Sequence, residues 1–191
     1  MEEERSPSAL RTESASELPP GWNYNPAAWR ERIPIIVLAT IGFVMAMVLA
    51  LYQYRIISSV WEPFFGRGSV IILNSPISKL LPISDAALGA FGYILDAVTG
   101  AIGGRHRWRT MPWMVVLMGL FVGPLGAVSV ILVILQPVLY NAWCTICLAT
   151  AVISIVMIGP AMDEVLASLQ HLKREHRAGR NLWKTFWGKG V

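Results

Sequence analysis

The sequence predicts an all-α protein: a membrane-embedded bundle of four transmembrane helices with an exterior loop lying over it. Three observations carry that prediction. The 191 residues are 54% hydrophobic and only 15% charged, against about 25% charge in soluble domains. The apolar residues fall into four long blocks almost free of charge. A chain this short cannot wrap four all-apolar helices in a soluble coat, so the blocks must face lipid. The same composition excludes intrinsic disorder over most of the length. Two cysteines are too few for a disulfide-stapled secreted domain. Nucleic acid is not expected as a partner, because the net charge of +4 is explained by arginines placed at membrane borders.

Residues 1–21 are acidic and polar and end at Pro19-Pro20. They are expected to form a disordered cytosolic tail, and they lack the basic start and short apolar core of a cleavable signal. Asn25-Pro26 then signals a helix start, and Trp22, Tyr24 and Trp29 suit the headgroup layer. A span needs roughly 20 apolar residues, because the hydrocarbon core is about 30 Å thick. Four blocks qualify within a domain of residues 22–160: about 33–52, 86–103, 112–135 and 138–160. The second is the weakest and contains Asp96, for which an ion pair with the Arg105–Arg109 cluster is the favoured reading over proton transfer. Gly123-Pro124 is expected to kink the third span, and Gln136-Pro137 to form a tight turn into the fourth. Residues 161–191 carry Val165, Leu166, Leu169 and Leu172 at helical spacing and read as an amphipathic cytosolic tail.

Arginines set the orientation. Arg30 and Arg32 precede the first span, Arg105, Arg107 and Arg109 fill the connection between the second and third, and Lys173, Arg174 and Arg177 follow the fourth. The other side receives only Arg55, Arg67 and Lys79. Both termini are therefore expected in the cytosol. The loop from about Gln53 to Asp85 then faces the exterior.

Both cysteines lie in Trp143-Cys144-Thr145-Ile146-Cys147, at the exterior start of the fourth span. Three-residue spacing on a helix puts both sulfurs on one face, where they can close a disulfide. A helix N-terminus also stabilises a thiolate. The plainer reading is two small apolar residues in a packed helix, and the pattern alone leaves both open. A metal site is not expected: structural zinc takes four ligands, and no second pair exists.

The four-span pattern with WCTIC at the head of the last span resembles the bacterial branch of the vitamin K epoxide reductase family. Further likeness lies in Leu73-Asn74-Ser75-Pro76, Leu81-Pro82-Ile83, Leu88-Gly89 and the runs GWNYNPAAWRERIP and RWRTMPW. The resemblance covers about Trp22 to Leu172. It implies a thiol:quinone oxidoreductase of the bacterial plasma membrane that serves disulfide formation, with a ubiquinone- or menaquinone-type quinone as substrate. It implies Cys147 as the quinone-side cysteine and Cys144 as its exchange partner. Asp85 and Ser75 map onto positions that would contact the quinone or support the pair. The simpler account is a turn at Ser75-Pro76 and a cap of the second span by Ser84 with Asp85. Some members carry a tyrosine one turn after the second cysteine; Ala151 stands there.

One departure matters more. Members relay electrons through a second cysteine pair in the exterior loop, but this loop contains none, and Ser69 stands about where one is expected. The thiols would have to come from another molecule, such as an exported thioredoxin-like protein. The alternative is a non-catalytic membrane scaffold or binding protein derived from the family. A small-solute carrier is disfavoured, since the spans lack converging polar groups at mid-depth.

Overall fold

The computed structural model describes residues 18–76, 78 and 83–189. The acidic run up to residue 17, and Lys79, Leu81 and Pro82 of the loop, lie outside the described residues. The described residues form seven helices and no strand: α1 (Trp29–Gln53), α2 (Gly68–Leu73), α3 (Asp85–Ala101), α4 (Arg107–Thr110), α5 (Pro112–Tyr140), α6 (Thr145–Arg177) and α7 (Leu182–Phe186). Helices α1, α5 and α6 are long and apolar enough to cross a membrane. At 17 residues, α3 reaches only about 26 Å at 1.5 Å per residue.

The four longer helices close into a ring in which α1 packs on α3, α3 on α5, α5 on α6, and α6 back on α1. Their shared core is built from Ile35, Ala39, Tyr93, Met118, Val122 and Met157. Small residues let the helices approach. At Gly42 even a Cβ would stand 2.5 Å from the Tyr93 ring, so this α1–α3 crossing admits no side chain. Outward, Ile33, Val37, Ile41 and Val44 form an exposed apolar stripe on α1. Phe91, Ile94 and Val98 do the same on α3.

Two sequence expectations are corrected. Gln136-Pro137 is not a turn: α5 continues through both prolines to Tyr140, and the chain reverses at Asn141, whose φ of 45° is left-handed. A bundle tolerates such prolines because neighbouring groups can satisfy the freed backbone, and asparagine is among the few residues that adopt αL readily. The helix likewise does not stop at Pro160. Helix α6 runs 33 residues to Arg177, so much of the expected tail continues the last helix. Arg32 and Arg107, which the sequence places at the membrane border, are buried, being 0% and 1% exposed.

Those two arginines explain how a short helix ends inside the bundle. The last carbonyls of a helix have no partner within it and draw cations. Arg32 donates from Nε to Gly100 O at 2.8 Å, from Nη1 to Gly103 O at 2.7 Å and from Nη2 to Ile102 O at 2.8 Å. Arg107 Nη1 adds bonds to Thr99 O and Ile102 O. Its Nε and Nη2 grip both carboxylate oxygens of Glu164 on α6, which is fully buried. Arg107 is thus engaged by Glu164 and by these carbonyls. Asp96 is buried, with no hydrogen-bond partner for its Oδ1 among the described residues; the expected ion pair is not formed by Arg107.

Candidate functional site: the cysteine pair and its cavity

Helix α6 begins at Thr145, so Cys144 is its N-cap and not part of its first turn. The cap is made by sulfur: Cys144 Sγ accepts the Cys147 N–H at 3.2 Å. The two cysteines form a disulfide with Cα atoms 5.2 Å apart, inside the range such bonds need. Cys144 is fully buried among Leu49, Ile72, Leu73, Ala142 and Ile146. Its own N–H donates to Gln136 Oε1 of α5 at 3.1 Å, so the residue expected to make the turn holds the cysteine instead.

Cys147 faces inward. It lines a cavity of about 100 Å³ between α1, α3, α5 and α6, roofed by α2. Leu49, Leu73, Leu125 and Leu132 make the walls apolar, and Ser75 and Asp85 enter from the loop side. The structure thus brings Ser75 and Asp85 of the loop side to one cavity with Cys147, more than sixty residues further along the chain. Asp85 Oδ1 accepts from Gln53 Nε2 at 2.7 Å and from the Ala86 N–H at 2.8 Å. Ser84 is the helix N-cap, accepting the Ala87 N–H. Ser75 is buried, and its Oγ accepts the Ser78 N–H at 3.4 Å.

Tyrosines reach this cavity from other helices than α6. Tyr93 and Tyr140 line it, while Ala151 is merely buried core. The Tyr93 hydroxyl donates to Thr150 O at 2.6 Å and lies 2.7 Å from Ser154 Oγ. Tyr93, Tyr140 and Gln136 escaped the sequence reading because each stands alone in an apolar run, and only the helix packing brings them together.

Glu62 was missed for another reason: nothing in its neighbourhood repeats. It lies in the loop before α2 and reaches the start of α6. Glu62 Oε2 accepts the Thr145 N–H at 3.1 Å, and Glu62 Oε1 accepts the Phe65 N–H at 3.3 Å. The hydroxyls of Ser69 and Thr145 donate to the same carboxylate. Partial burial pushes the Glu62 carboxyl up, but these four donors outweigh it and hold it down at about 2. Ser69 is fully buried beneath this cluster. Gly68 presses on the Trp143 carbonyl so closely that no Cβ would fit. Outside it, Trp61 and Phe64 are 73% and 76% exposed, and Phe65 packs on Trp143 with ring centroids 6.4 Å apart.

Searches of curated proteins and of solved structures returned no match. The family model for the vitamin K epoxide reductase family matches residues 33–161, a segment that contains α3 and α5 whole, most of α1, the first half of α6, both cysteines and the cavity. With an all-helical bundle, three membrane-length helices and a match across most of its length, the chain is a multi-pass membrane protein that belongs to the vitamin K epoxide reductase family.

Proposed function

We propose that the protein is a membrane thiol:quinone oxidoreductase in which Cys144 and Cys147 pass electrons from a partner's thiols to a membrane quinone. The observation that carries this reading is the position of Cys147. It opens onto a largely apolar cavity that a few polar groups, among them Ser75, Asp85 and Gln136, also line, the usual form of a small-molecule site. The reduced pair gives up two electrons and two protons as its S–S bond forms, and the quinone takes both up to become a quinol. Cys147 is the sulfur next to the ring, while Asp85 and Ser75 offer polar contacts to it. The quinone supplies the redox chemistry; the bundle supplies pocket and orientation.

The pair must then be reduced again. With cysteines only at positions 144 and 147, the chain holds no internal relay. An outside dithiol, as on an exported thioredoxin-like protein, attacks the disulfide through a mixed disulfide and leaves as a disulfide itself. Cys144 is buried under the loop, so this exchange needs the loop to move aside. In this reading α3 is a fourth span, which its exposed Phe91, Ile94 and Val98 support. Both termini then lie in the cytosol and the cysteine pair at the exterior face of a bacterial plasma membrane.

The test is direct. The reduced protein is mixed with a ubiquinone or menaquinone analogue while thiols and quinol are counted. One disulfide and one quinol per chain are expected. Thiols that stay reduced in excess quinone would sink the proposal. A non-catalytic scaffold gains some support from the buried Cys144 and the missing relay. It predicts that a Cys144→Ser, Cys147→Ser double variant retains full cellular function.

A further inference from the structure

We propose that Glu62 is a positioning residue that sets the redox balance of the cysteine pair: its carboxylate, fixed at the first turn of α6, disfavours the dithiol form and makes the pair a stronger electron donor. The inference rests on the reading of Cys144 and Cys147 as a redox pair, but not on quinone being the acceptor.

A helix N-terminus normally acts on a cysteine at its cap. Its free N–H groups and partial positive charge stabilise a thiolate at the cap position, which favours the reduced form. Cys144 occupies that cap position. Here, however, the Thr145 N–H is already given to Glu62, and a full negative charge sits against the helix end. The Thr145 hydroxyl, between the two cysteines in sequence, is bound to the same carboxylate. A thiolate forming at Cys144 meets like charge and a helix end that has lost one of its donors. The disulfide carries no charge and meets no such penalty. The equilibrium therefore leans toward disulfide.

Glu62 is held for this task by its own fold. Ser69 Oγ and the Phe65 N–H fix the carboxylate from the loop side, and Gly68 seats that loop on Trp143. Ordinary helix capping explains the bond to Thr145 N–H. It does not explain why four donors gather on one carboxylate that reaches α6 from 83 residues away. Ser69, standing about where the resemblance leads one to expect a loop cysteine, thus anchors the group that acts on the remaining pair.

The experiment equilibrates the detergent-solubilised full chain with graded ratios of reduced and oxidised dithiothreitol, without quinone, near pH 8.5 where thiolates contribute. Alkylation and mass counting give the dithiol fraction. Glu62→Gln, which keeps the shape and removes the charge, is expected to shift the equilibrium about tenfold toward dithiol, or ~30 mV. A shift below threefold, or one toward disulfide, overturns the inference. Thr145→Val keeps the charge but releases one hold on it, and is expected to shift the same way by at least twofold. Should Glu62→Gln fail to fold, Thr145→Val decides alone, and a shift under twofold overturns the inference. Failure of quinone reduction with these shifts intact would count against the acceptor and leave the role of Glu62 standing.

Discussion

A guanidinium can stay buried only when its donors find acceptors, and Arg107 shows how specific that demand is. It spends its donors on Glu164 and on the final carbonyls of α3. Breaking a buried pair by removing one partner leaves an uncompensated charge, at a cost of about 3–5 kcal/mol. Arg107→Met is therefore expected to destabilise the bundle by that amount, read as a lower melting temperature in detergent. Arg107→Met with Glu164→Leu should recover much of the loss. From sequence, Arg32 and Arg107 looked like border charges, because a count of arginines says nothing of which helix ends lie opposite them. The cysteine pair was partly legible for the converse reason: three-residue spacing is local and brings two sulfurs within reach, though it left a plain packing role open. Glu62 offers a second residue-scale prediction. Its folded value of about 2 lies below its ordinary 4.5, so its contribution to stability is fully present above about pH 4.5. That contribution fades as the pH falls toward 2. The melting difference between wild type and Glu62→Gln should be constant above pH 5 and narrow steadily below it.

At the scale of elements, the apolar blocks located the helices well and their ends poorly. Hydrophobic periodicity reports what a segment buries, whereas an end depends on caps and on neighbours that accept freed backbone groups. Helix α5 therefore passes Gln136-Pro137, and α6 passes Pro160. The loop was the least legible element, since its fold depends on a glycine whose absent side chain makes room for Trp143 and on a carboxylate reaching another helix. It also covers Cys144. Gly68→Ala should therefore push α2 off Trp143 and open the site. The expected result is a severalfold faster reduction of the disulfide by a water-soluble thiol, measured by stopped alkylation. An unchanged rate would mean that the loop does not limit access.

For the whole molecule, the question is how many times the chain crosses the bilayer. Helix α3 is short by length, yet it packs as a full member of the ring and turns an apolar stripe outward. Four crossings put both termini on one side, and three put them on opposite sides. Reporter fusions at each end, with alkaline phosphatase active only outside the cytosol, should both be inactive. Activity at one end alone would remove α3 from the count. The long helix α6 bears on a different matter, namely where this chain can be cut. At about 1.5 Å per residue its 33 residues span about 50 Å, well beyond a bilayer core, and the family match ends at 161. Beyond that limit stand Glu164, which holds Arg107, and Gln170, Asp163 and Arg174, which bind Trp22, Tyr24 and Pro20. A chain ended at the homology boundary would lose the foot on which the arginine end and the segment before α1 are built. Anyone trimming or fusing this protein should treat Pro160 as interior to its folded frame, which runs on through α6 and α7 to Trp187, whose ring packs on Trp113.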